Sequence, residues 1–510
     1  MTEPVLTPGA SLLDQPSSHG SDQQRSEVCE MAMPTKGMAR DEVIADLREM
    51  QEGDLPIGDG KAFGFIYAAG EAVDEIKKAA VTMALGANGL DPTMFPSLRQ
   101  LENEVLAIAR EHLHGDENVV GSFTSGGTES LLLAVKTARD HARETRPELT
   151  RPTMLLPETA HSSFHKAAAY FDVEAIEVGV DPETFATDVE DMRSKIDERT
   201  ILLAASAPGY AHGVIDPIEA IGELALEHDL LFHVDGCIGA FLLPYLERLG
   251  DEIPPFDFRV PGVSSISMDL HKFAYAPKGA SVVLYRDAEL RRHQYFACAA
   301  WSGYSVVNST IQSTKGAAPL AGAWAVMRFL GDEGYMKIAA ELRKGTTALV
   351  EGLRQIEGLK VLGEPQMGLV AVTAADGVQL PIFRLADRMQ ERGWYVQPQL
   401  GYGKSPRNLH FQIEPSNAGN VAPMLAVLAE EVAKLTGESD SAPAPLVQMA
   451  AQLQPEQVRL RFGELMAMAG STGPGELPKE RALVNEVMDA LPAETRQELL
   501  KAFLGQIYTP

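Results

Sequence analysis

The chain has 510 residues, 45% of them hydrophobic and 23% charged, which is enough apolar material for more than one core. Its 44 Lys and Arg against 71 Asp and Glu give a net charge of −27, a surface that repels polyanions and makes nucleic acid a poor partner. The three cysteines, Cys29, Cys237 and Cys298, are odd in number and spaced for neither a disulfide framework nor a zinc site, so a reducing, cytoplasmic setting without a bound metal is expected.

Residues 1–38 are rich in Ser, Gln, Pro and Gly and read as a flexible segment without a signal-peptide pattern. No apolar run approaches the ~20 residues of a membrane-spanning helix. Within a helical segment over 39–94, "ARDEVIADLREMQEG" has apolar residues at helical spacing. From 95 to 330 strands and helices alternate. "VVGSFTSGG" reads as strand and glycine turn, "TESLLLAVKTARDHAR" as helix, "RTILLAASAPGY" as strand, "IEAIGELALEHD" as helix and "LLFHVDG" as strand. This alternation predicts an α/β domain with a mainly parallel sheet covered by helices on both faces. One or two long helices from "GAAPLAGAWAV" lead into a smaller α+β domain over 331–437, with strands "LKVLG", "GLVAVTA", "WYVQPQL" and "NLHFQIEP". "GESDSAPAP" marks a linker over 438–446, and 447–510 a helical extension.

Three stretches of the α/β domain hold candidate chemistry. "TSGGTES" (124–130) follows a strand and opens a helix, where glycines and free N–H groups suit a phosphate; a plain capped turn is the alternative. "LLFHVDG" delivers Asp235 to the carboxyl end of a buried strand, where it either caps the next turn or pairs with a buried cation. "SISMDLHKFAYAPKG" (265–279) carries His271, Lys272 and Lys278 on a turn between two strands. An amine held there among apolar groups would lose pKa and become nucleophilic, whereas an ordinary surface lysine would not. His161, in "ETAHSSFHKAA", is a loop histidine or a ring stacker. In this order, a glycine turn, a stacking ring, an Asp and a Schiff-base Lys suit pyridoxal 5'-phosphate.

The segments "NGLDPTMFPSLRQLENEV", "TSGGTESLLLA", "HSSFHKAA", "HGVIDPI", "HVDGCIGAFLLP", "FDFRVPGVSSISMDLHKFAYAPKGASVVLYR" and "FLGDEGY" resemble, in order, the pyridoxal-phosphate group II decarboxylases and their sphingosine-1-phosphate lyase branch. The resemblance implies the aspartate aminotransferase fold and a homodimer with shared sites. It implies that Lys272 carries the covalent link to the cofactor, Asp235 pairs with its ring nitrogen and His161 stacks on it. Gly127, Thr128 and His271 would hold the cofactor phosphate, and Thr314 would reach the neighbouring subunit's cofactor. Tyr67, Asp91, Tyr210 and Lys278 match positions at or near the substrate. Asp91 stands where the family has a His, and an anion there repels a phosphate. Lys315 stands for an Arg, Val306 for an aromatic and Gly236 for an Ala. The implied reaction is retro-aldol cleavage of a phosphorylated long-chain amino alcohol to a long-chain aldehyde and phosphoethanolamine. An amino-acid decarboxylase is the alternative, with Arg407 in "SPRNLHFQIEP" as the carboxylate ligand or else a surface Arg. A non-catalytic scaffold is disfavoured because Lys272 and Asp235 are both present.

Overall fold

The computed structural model describes residues 33–55, 58–91, 93–458 and 481–508. Most of the N-terminal segment read as flexible, and part of the C-terminal extension, therefore lie outside the described residues.

The α/β domain is built on seven strands: β1 (Val120–Thr124), β2 (Thr153–Pro157), β3 (Glu174–Val178), β4 (Thr200–Ser206), β5 (Leu231–Asp235), β6 (Ser265–Met268) and β7 (Ser281–Tyr285). Their order across the sheet is β1-β7-β6-β5-β4-β2-β3, with β7 antiparallel to both neighbours and the others parallel. The expected α/β class with a mainly parallel sheet is what forms. Every residue of β2, β4, β6 and β7 is buried, because helices cover both faces, and the strands accordingly read as apolar runs rather than as alternation. The sequence reading missed β3, "EAIEV", since its two glutamates mask the period. It is the edge strand, where charge is tolerated and protective.

A short hairpin, β8 (Phe296–Cys298) and β9 (Val306–Asn308), precedes the helix Ala317–Gln355. That helix is two runs joined at Gly331, whose φ of 57° only glycine adopts readily. The smaller sheet is antiparallel in the order β10-β11-β13-β12, from Leu359–Leu362, Leu369–Ala374, Asn408–Gln412 and Gln397–Gln399 respectively. The expected linker over 438–446 is helical from Ala444. Its preceding residues are also tied down, since Ser441 and Ala442 donate backbone N–H groups to the buried Glu486 carboxylate. Among the described residues no helix is long and apolar enough to cross a membrane.

The parallel strands β2, β4, β5 and β6 all point their carboxyl ends to one edge. In register, Ser206 faces Asp235, and Asp235 faces Ser267. The loops leaving this edge carry most of the candidate residues, as open α/β sheets require of a ligand site.

Candidate active site

Asp235, Lys272, His161, Gly127, Thr128, His271, Tyr67, Tyr210 and Lys278 line one cavity of about 510 Å³. Its base is the start of the helix Gly127–Thr145. Three hydroxyls hold that start in place: Thr124 Oγ1 lies 2.6 Å from Ser130 Oγ, which lies 2.9 Å from Ser281 Oγ on β7. Gly126 has φ 150°, and a Cβ on Gly127 would stand 2.7 Å from Asp269 Oδ2 and 2.8 Å from Cys237 Sγ. The glycines are there because the helix must approach the lysine-bearing turn this closely. The first N–H groups of the helix have no intrahelical acceptor and open into the cavity, with the positive end of the helix dipole behind them.

Lys272 is mostly buried, and its Nζ lies 3.0 Å from Asp269 Oδ2. The sequence reading expected burial to lower this amine's pKa, and the structure reverses the sign. Burial does oppose the charge, but Asp269, with further contributions from Cys237, Tyr67 and Asp235, outweighs it and holds Lys272 above the usual lysine range. Conversely, burial opposes ionisation of Asp269, but Lys272 and His271 together hold its carboxyl well below the usual range. Asp269 Oδ1 is buried without a hydrogen-bond partner. Sequence reasoning overlooked Asp269, although a carboxylate three residues before the lysine in "SMDLHK" was the available signal.

Asp235 ends β5, 7% exposed. Its Oδ1 accepts from the Cys237 N–H at 3.0 Å and the Ser267 hydroxyl at 3.4 Å, so the turn-capping role is real and coexists with a place in the cavity wall. Cys237 is buried, and burial pushes its thiol well above the ordinary range, which makes it a poor nucleophile. His161 accepts at Nδ1 from the Ser163 N–H at 3.2 Å, and the Ser163 hydroxyl bridges to Thr128 Oγ1 at 2.9 Å. A neutral His161 therefore carries its proton on Nε2. His271 accepts at Nδ1 from the Ala280 N–H at 3.2 Å, with Nε2 3.5 Å from Asp269.

On the opposite wall Lys278 Nζ lies 4.6 Å over the ring of Tyr67, which meets Phe273 edge-on at 5.5 Å. Burial, then the charge of Lys272, lowers the pKa of Lys278. The Tyr210 hydroxyl donates to Gln397 Oε1 at 2.6 Å, its ring stacks on His410, and burial pushes its pKa up to about 12. Gln412, also unforeseen, lines the cavity and donates to Ile66 O and to Glu414 Oε1. Burial raises the carboxyl of Glu414 well above the usual range.

Four residues lie elsewhere. Asp91 is exposed, and its carboxylate accepts from the Thr93 N–H and hydroxyl at 2.8 and 2.6 Å. Thr314 is exposed, beyond the walls of this cavity. Lys315 pairs with Glu102 at 3.0 Å beside β1. Arg407 does not reach the cavity either, because Asp440 at 2.8 Å and Asp489 at 3.6 Å hold it.

A buried carboxylate, a nearby lysine, an unsatisfied carboxyl oxygen and a helix N-terminus around one cavity match the donors a charged aldehyde cofactor needs. Residues 23–374 match the family described as pyridoxal-dependent decarboxylase conserved domain. The chain belongs to this family. Pyridoxal 5'-phosphate is accordingly its cofactor. Residues 443–506 match a second family, the pyridoxal-dependent enzyme C-terminal putative HTH domain. A sphingosine-1-phosphate lyase of Arabidopsis thaliana is 36% identical over 485 residues, covering 94% of this chain and 83% of the relative. A probable L-aspartate decarboxylase of Pyrococcus furiosus is 31% identical over 372 residues, 73% of this chain and 96% of the relative. The solved sphingosine-1-phosphate lyase of Burkholderia pseudomallei superposes with a TM-score of 0.76 at 31% identity, covering 87% of this chain and 97% of that one. Family membership places this chain among the pyridoxal-dependent enzymes.

Proposed function

We propose that the chain is a lyase that cleaves sphingosine 1-phosphate to a long-chain aldehyde and phosphoethanolamine. The observation that carries the reading is the convergence of Lys272, Asp235 and the glycine-opened helix start in one cavity, in a chain 36% identical to a lyase over most of its length. When bound, pyridoxal phosphate supplies an aldehyde for the substrate amine and a protonated ring that takes up the electron pair of the breaking C2–C3 bond. Lys272 would hold the cofactor through its aldehyde. Asp235, at the carboxyl end of β5, would pair with the ring nitrogen and its proton. His161, oriented by Ser163, would cover the ring, while Thr128, His271 and the helix N–H groups would hold the cofactor phosphate. Lys278 and Tyr67 offer a cation and a hydroxyl to the substrate phosphate. The cleavage balances because the proton lost from the substrate's 3-hydroxyl is matched by the one gained at C2.

Two features support a homodimer. The helix Arg40–Met50 buries none of its residues on its own chain and exposes Val43, Ile44, Leu47 and Met50. Thr314 is exposed and does not line its own cavity, which leaves it available to a neighbour's site. Arg407, engaged by Asp440 and Asp489, speaks against the decarboxylase alternative.

The test is mass spectrometry of products after mixing cofactor-loaded protein with sphingosine 1-phosphate. Hexadecenal-type aldehyde together with phosphoethanolamine supports the lyase. Their absence, with carbon dioxide released from an amino acid, replaces it with a decarboxylase.

A further inference from the structure

The C-terminal extension packs on the helix Ile382–Glu391 of the small domain and on the loop after the strand Gln397–Gln399. Arg481 donates to Gln390 Oε1 at 2.8 Å, the Ala482 N–H to Asp387 Oδ2 at 2.8 Å, and the Gly401 N–H to Asp489 Oδ1 at 2.6 Å. Between the helices Ile382–Glu391, Arg481–Ala490 and Ala493–Ile507 this docking leaves a groove of about 400 Å³. Val396, Pro398, Val484, Met488, Leu500 and Phe503 form its apolar wall, while the polar groups at its rim are joined to one another across it. A space of this size and lining is that of a small-molecule site.

The groove approaches the catalytic cavity at Tyr395. The Tyr395 ring borders the groove and lies 6.1 Å from the ring of Phe65, which lines the cavity. A Cβ on Gly64 would touch Tyr395 Cε1 at 3.4 Å and Gln397 Cβ at 3.7 Å, so both side chains turn toward that same segment. Phe65 is 56% exposed and holds φ at 62°, a conformation costly for a bulky side chain. The strained backbone keeps an aromatic ring at the cavity mouth, facing the groove.

We propose that this groove receives the hydrocarbon tail of the long-chain substrate, which leaves the cavity past Phe65 and Tyr395. The inference rests on the lyase reading, since it needs a substrate whose polar head sits at Lys272 and whose tail must be kept from water. Each methylene in the groove adds to binding, so the extension sets chain-length preference without touching the reacting atoms.

The test compares kcat/KM for sphingosine 1-phosphate with that for a short-chain analogue bearing the same head group, in the full cofactor-loaded chain. Leu500→Glu puts a charge on a half-exposed groove position, and Val484→Trp narrows the groove without charge. In each the long-to-short ratio of kcat/KM falls about tenfold or more, and equilibrium dialysis shows weaker binding of dodecanol. In the parent chain dodecanol competes with the long substrate and not with the short one. An unchanged ratio in folded variants, or dodecanol competing with both substrates or neither, overturns the groove while leaving the lyase in place. If the parent chain cleaves neither substrate, the lyase reading itself fails and takes the groove with it.

Discussion

Lys272 illustrates how one neighbour can reverse a sequence-level expectation. A buried amine should lose its proton, yet Asp269 at 3.0 Å keeps it charged. The pair has a testable pH signature. Asp269 is depressed in the folded chain, so its contribution to stability is present above the unfolded carboxylate pKa of about 4 and is lost on acidification below it. Lys272 is raised, so its contribution is present below about pH 10 and is lost as pH rises through its folded pKa. Asp269→Asn should therefore lower the melting temperature most between these limits, and the gap from the parent should narrow below about pH 4; a constant gap from pH 3 to 8 would count against the pairing. Lys272→Ala should abolish the covalently bound cofactor's visible absorbance and reduce turnover about 10³-fold or more, read by spectrum and product assay.

At the scale of the element, the helix Gly127–Thr145 is set by what stands in front of it. Gly127→Ala places a Cβ against Asp269 and Cys237, and an overpacked contact of this kind costs about 1–3 kcal/mol. Cofactor affinity should fall with it, as a pyridoxal phosphate titration would register; unchanged affinity would mean that the helix start can retreat without loss. The extension depends on a few polar contacts to the small domain. Arg407 is over a third exposed, so Arg407→Ala should cost at most about 1 kcal/mol. It should loosen the extension, visible as faster hydrogen exchange over 481–508, while carbon–carbon cleavage persists. A large loss of cleavage would instead restore Arg407 as a substrate ligand.

For the whole molecule, the net charge of −27 repels an anionic phosphate at long range, while Lys278 and the helix start attract it locally. Salt screens the distant repulsion more than the contacts within the cavity. Raising ionic strength from about 0.01 to 0.15 M should therefore increase kcat/KM for a phosphorylated substrate. A fall would show that the local basic groups dominate the approach.

The sequence by itself determined the α/β class, the strands around the cavity, and a candidate set, Lys272, Asp235, His161, Gly127 and Thr128, that lines it. Apolar runs buried on both faces, glycines at a strand-to-helix turn and a run of matching segments are local signals, and they survive in one dimension. It did not show the edge strand Glu174–Val178, whose glutamates break the pattern, or the reach of Gln397 and Gln412 from the small domain into the cavity. Nor did it assign Asp269, which acquires its role only where burial raises the cost of an unpaired charge. Tertiary structure alone decided that Lys272 is paired with Asp269, that Arg407 is spoken for by Asp440 and Asp489, and that the extension forms a groove whose Tyr395 lies beside Phe65 of the cavity. These depend on distances between residues far apart in the chain, and electrostatic and apolar contacts act through space, not along the sequence.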